Sequence, residues 1–128
     1  MKGIKYIYFF LIILVLILYL FPGNFFSWIF FDELSQKTEF FSDPKKSPLR
    51  HVLAFFCLSL TGVISYKQDI NLRYNIAFLF ILSIFLELLH LVIPNRSFQL
   101  SDLAANLIGT VLAVIIIICY KRYKNGKI

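Results

Sequence analysis

Hydrophobic length limits the folds open to this chain more than any other feature. Four apolar runs, about residues 4–21, 50–66, 74–93 and 102–120, approach or reach the ~20 residues an α-helix needs to cross ~30 Å of hydrocarbon. In that medium each backbone N–H and C=O must be satisfied within the protein, which favours helices for runs of this kind. The expected fold is therefore all-α: a polytopic membrane protein, one domain over residues 1–128, built as a bundle of four transmembrane helices. A chain that is 59% hydrophobic with a mean hydropathy of +0.79 fits that class and not a soluble domain.

Local signals refine the elements. The first run, Ile4 to Phe21, follows Lys2 and Lys5 and ends in Tyr19-Leu20-Phe21-Pro22. A secretory signal would have a shorter apolar core of roughly 7–15 residues and a small-x-small cleavage site, so the run reads as a retained anchor helix. Residues 22–49 form a long connection. Its first part crowds aromatics around Trp28, suited to the headgroup layer, and its second part carries charges, Pro44 and Pro48. Lys45, Lys46 and Arg50 read as a solvated basic loop near lipid phosphates. Pro94 should stop the third helix, Ser101 should cap the fourth, and Asp102 in its first turn complements the helix dipole. Cys57 and Cys119 should lie at different depths as buried free thiols.

Charge then orients the bundle. Lys2, Lys5, Lys67, Arg73, Lys121, Arg122, Lys124 and Lys127 fall on one side of the four spans; Lys37, Lys45, Lys46, Arg50 and Arg96 fall on the other, mostly in a far longer loop. The positive-inside rule places both termini in the cytoplasm and the 22–49 loop and the turn near Pro94 outside. The net charge of +6 reflects these helix ends, not an interleaved nucleic-acid surface.

The stretch from Glu87 to Gly109 departs from the greasy background. A charge at the middle of a spanning helix costs roughly 2.5–3.5 kcal/mol on insertion scales and normally faces a bundle interior or wet cavity. Traced from the outer face, His51 opens the second helix, Glu87 and His90 share a face near the end of the third, and Asp102 and Asn106 lie in the first turns of the fourth. Arg96, in the turn, reaches toward Glu87. These six residues should meet at one level and line an outward-opening polar pocket. Ala105, Gly109 and Ala113 on the fourth helix, and Gly62 on the second, form small-residue stripes for close helix packing.

Glu87, His90, Pro94, Arg96, Asp102, Asn106 and Gly109 also follow the spacing E-x2-Q-x3-P-x-R-x5-D-x3-N-x2-G, with His90 at the glutamine position. This resembles the signature of the VanZ-like family of small bacterial membrane proteins, and His51 matches a histidine typical of that family's preceding helix. Ser47-Pro48 stands where the family usually has Asp-Lys. The resemblance covers roughly Arg50 to Tyr120. It implies an integral protein of the bacterial cytoplasmic membrane, and the family's named member is associated with resistance to the glycopeptide antibiotic teicoplanin.

Three functions are compatible with the residues. In the first, the pocket binds an anionic lipid headgroup, a lipid-linked wall precursor or a glycopeptide antibiotic, with Arg96 contacting phosphate or carboxylate. In the second, an intramembrane enzyme acts on a phospholipid or polyprenyl-linked substrate, with Glu87 or Asp102 as base and a histidine as acid or nucleophile. No GxSxG, HExxH or phosphatase motif supports that chemistry. In the third, Glu87 pairs with Arg96 and the cluster only pins the bundle. His51, Glu87, His90 and Asp102 have ligand types suited to zinc, but without ligand spacing on one helix no metal is expected, and no motif calls for a cofactor. Homo-oligomerisation is compatible with all three.

Overall fold

The structure, a computed structural model, describes residues 2–22, 29, 47–66, 71–94, 96–124 and 126. The expected interfacial segment around Trp28 and most of the 22–49 loop lie outside those residues. Four helices follow one another: α1 (Lys2–Leu20), α2 (Ser47–Tyr66), α3 (Leu72–Leu89) and α4 (Leu100–Lys124). Each is long and apolar enough to cross a membrane, and no strand occurs among the described residues.

The bundle buries polar side chains among an apolar core of residues such as Phe55, Leu58, Leu79 and Leu86, and its outside is apolar. Ser59, Ser83, Glu87, Asn106 and Thr110 have no exposed surface, whereas Phe78, Ile81, Phe85, Ile108 and Ile115 are exposed. This inverts the pattern of a soluble protein and suits lipid, where exposed aliphatic surface costs nothing and buried polar groups hold helices together. The same logic corrects the expectation for the cysteines. Cys57 and Cys119 are free but exposed, on outward helix faces.

Interhelical contacts fix an up-down-up-down arrangement. Tyr8 on α1 donates to Asn75 Oδ1 on α3 at 2.6 Å, and the Tyr19 ring stacks on His90, so α1 and α3 run the same way. Ser59 on α2 donates to Thr110 Oγ1 on α4 at 3.1 Å, and His51 faces Asp102, so α2 and α4 share the opposite direction. The C-terminal ends of α1 and α3 therefore meet the N-terminal ends of α2 and α4.

Small residues set how closely α2 and α4 approach. A Cβ on Gly109 would run into the Val52 carbonyl oxygen and come within 2.9 Å of the Phe56 nitrogen, both backbone atoms of α2. Ala105 and Ala113 continue that buried stripe. At Gly62 a Cβ would meet side chains instead, the Tyr8 ring at 2.8 Å and Asn75 Nδ2 at 2.9 Å.

Several helix ends differ from expectation: α2 starts at Ser47, α3 at Leu72, and α4 runs on to Lys124, while two further ends have a visible backbone cause. α3 stops at Leu89, not at Ile93. From His90 the amides turn to carbonyls three residues back, with His90 N to Glu87 O at 3.2 Å, Leu91 N to Leu88 O at 3.1 Å and Val92 N to Leu89 O at 3.0 Å. This tightening satisfies the last carbonyls before Pro94 arrives. α4 starts at Leu100, two residues early, because the Gln99 carbonyl accepts from Asp102 N and Leu103 N, at 3.0 and 3.1 Å. Ser101 is thus inside the first turn and exposed, not the cap.

Candidate functional site

The site is built around a residue that the sequence pattern did not single out. Tyr19, in the last turn of α1, is buried and touches every other helix. Its hydroxyl donates to Asn106 Oδ1 on α4 at 2.9 Å. Its ring meets His51 on α2 edge-on, with centroids 5.0 Å apart, meets Phe55 similarly at 5.9 Å, and stacks on His90 beyond α3 at 5.9 Å. An α1 residue thus occupies the centre of the cluster to which α2, α3 and α4 contribute the expected groups.

The end of α1 explains where two of those groups are used. A helix terminus leaves its last carbonyls without intrahelical partners and carries partial negative charge. Here Phe21 N covers Ile17 O at 3.1 Å, Arg96 Nη2 donates to Leu18 O at 2.9 Å, His90 Nε2 lies 3.1 Å from Tyr19 O, and Arg96 Nε donates to Phe21 O at 3.2 Å. Arg96 and His90 thereby cap α1 from a distant part of the chain. No Glu87–Arg96 ion pair forms among the described residues; carbonyls at the end of α1 accept from the Nε and Nη2 of the guanidinium instead. Burial pulls the Arg96 guanidinium below the ordinary arginine value while nearby Tyr19 and Glu87 push it up, and Arg50 adds like-charge pressure downward. Starting so high, the group stays charged.

Glu87 serves a different turn. It has no exposed surface, and its Oε1 accepts from Gln99 N at 2.9 Å, tying the end of α3 to the start of α4. His90 Nδ1 lies 3.4 Å from the same oxygen. The other oxygen, Oε2, is buried and makes no hydrogen bond among the described residues, and the same holds for Asn106 Nδ2. Across the cluster His51 Nε2 stands 3.9 Å from Asp102 Oδ2.

The six expected residues therefore lie at one end of the bundle, grouped around Tyr19, with four of them buried. Glu87 and Asn106 are wholly inaccessible, and His90 and Asp102 nearly so. The Tyr19 ring fills the space between them. Arg50, His51 and Arg96 are partly exposed and mark the rim of the cluster. Among the described residues, no three His, Cys, Asp or Glu side chains are placed to hold a metal ion. The missed hub left one trace in the sequence: Tyr8, Val15 and Tyr19 are spaced seven and four apart, an inward stripe on a helix that otherwise reads as uniformly greasy.

Compared with known proteins, the chain matches a family model described as VanZ/LLP1 over residues 6–121, nearly its whole length. No match was found among curated proteins or among solved structures.

Proposed function

Since the chain belongs to the VanZ-like family, we propose that it works in the bacterial cytoplasmic membrane, where it binds an anionic headgroup at the outer surface. The ligand would be a lipid, a lipid-linked wall precursor or a lipoglycopeptide of the teicoplanin class. Both termini are cytoplasmic in this reading, and the rim of Arg50, His51 and Arg96 faces outward. One observation supports it above the others: Arg50 and Arg96 are both partly exposed at the same end of the bundle, where the charge of one acts on the other. Two guanidiniums at one level suit a phosphate or carboxylate, and Arg96 keeps its Nη1 donors for such an anion while Nε and Nη2 hold the end of α1. The N-terminal ends of α2 and α4 point to the same level and add partial positive charge. The buried acids below, Glu87 and Asp102, keep the bound anion at the rim.

Arg50 is the informative position, since Arg96 also caps α1. Cells expressing the wild type should differ in teicoplanin susceptibility from cells carrying an empty vector, and Arg50→Gln should lose most of that difference at equal protein level. Equal susceptibility of all three strains removes the resistance role.

A second reading has its own observation. Arg96 and His90 donate to α1 carbonyls, so the cluster can serve purely to pin the bundle. In that case Arg96→Lys lowers thermal stability while Arg50→Gln changes neither lipid binding nor any phenotype.

A further inference from the structure

The hydrogen-bonding roles around His90 leave little freedom. Its Nε2 lies 3.1 Å from the Tyr19 carbonyl oxygen, which can only accept, so Nε2 must carry a hydrogen. In a neutral imidazole the other nitrogen, Nδ1, then presents a lone pair, here toward Glu87 Oε1 at 3.4 Å. If Glu87 were ionised beside that neutral ring, a lone pair would face a carboxylate in a place with no exposed surface at Glu87 and 3% exposure at His90. Glu87 Oε1 already accepts from Gln99 N, and Oε2 makes no hydrogen bond among the described residues, so beside a neutral His90 one amide would be the carboxylate's hydrogen-bond donor.

The surrounding charges act on the pair through space, without a further hydrogen bond to Glu87 Oε2 among the described residues. Tyr19 faces the pair from α1 and His51 from α2, Asp102 on α4 stands against His51, and Arg96 lies in the turn within reach of the Arg50 charge. Arg96 is a fixed cation whose charge acts on Glu87, and its hydrogen bonds go to Leu18 O and Phe21 O.

We infer that Glu87 and His90 form a buried proton-binding site that holds one proton between them and, through the Nε2 donor, fastens the end of α1 to the bundle. The proton sits on Nδ1, giving an imidazolium–carboxylate pair, or on the carboxyl, giving a neutral acid beside a neutral ring. Either form removes the facing lone pair and charge. Loss of the proton restores that repulsion next to the Tyr19 contact and loosens α1.

The state of the pair can be read directly. The chain has two histidines, so His51→Gln leaves His90 as the only histidine signal in ¹⁵N-histidine-labelled protein. At neutral pH the site requires either both ring nitrogens of His90 protonated, or a carboxylic-acid infrared band that disappears in Glu87→Gln, or that shifts in Glu87→Asp should the glutamine variant not fold. A neutral His90 of either tautomer with no such band overturns the inference. Stability gives a second readout. Above about pH 6.5, the value for a free histidine, an unfolded chain holds neither proton while the folded pair holds one. Stability then falls as pH rises, by up to about tenfold in the unfolding constant per pH unit. His90→Gln, whose amide donates without titrating, should flatten that slope, and identical slopes in the two proteins would also overturn the inference.

Discussion

Gly109→Ala tests whether backbone contact between α2 and α4 organises this bundle. In an isolated helix the change is favourable by roughly 1 kcal/mol, because alanine has less chain entropy to lose. Here the added carbon overlaps the Val52 carbonyl oxygen and sits 2.9 Å from Phe56 N, inside the 3.4 Å at which ordinary contact begins. Both neighbours are backbone, so no side-chain rotation relieves the overlap, and α4 must move away from α2. Overpacking of this kind costs about 1–3 kcal/mol, and a separation of even 0.5–1 Å forfeits roughly a quarter to a half of each dispersion contact along the interface. The sum is a net loss of about 1–2 kcal/mol despite the better helix former. Thermal unfolding in mild detergent should show Gly109→Ala below wild type. Gly3→Ala, in the first turn of α1 with nothing within 4 Å, should melt at or slightly above wild type. Gly109→Ala unfolding at or above the wild-type temperature would refute the reasoning.

Three further outcomes follow from the site. Tyr19→Phe removes the hydroxyl that donates to Asn106 and should cost about 1 kcal/mol in detergent unfolding, in line with interhelical hydrogen bonds in membranes. Arg96→Lys replaces a fork that reaches Leu18 O and Phe21 O together with a single point donor, and should lower the melting temperature and raise protease cleavage after α1. Ser97→Cys, in a background with Cys57 and Cys119 replaced by serine, should react with a membrane-impermeant maleimide on intact cells; reaction only after lysis would invert the topology.

Much of this architecture was legible because bilayer energetics write it plainly. Helix number follows from apolar length, and the shared level of Glu87, Asp102 and Asn106 follows from the cost of placing such groups anywhere else. Tyr19 was not legible for a related reason. A tyrosine near a helix end reads as an interfacial anchor, and only its spacing from Tyr8 and Val15 marks it as inward. The partner of Arg96 was hidden more deeply, since the backbone carbonyls of Leu18 and Phe21 have no side-chain signature. A charge-matching argument therefore pairs Arg96 with Glu87, whereas the exposed helix end competes better for its donors. The Tyr8–Asn75 and Ser59–Thr110 bonds went unread because single polar residues within apolar runs carry no motif.

Native mass spectrometry of the protein released from gentle detergent tests the central claim most directly, by asking which lipid or wall precursor stays bound. An anionic species retained by the wild type and lost in Arg50→Gln, with both proteins melting at the same temperature, is the predicted result. Retention of the same species by both, or of uncharged lipid alone, would contradict a headgroup site at the Arg50–Arg96 rim.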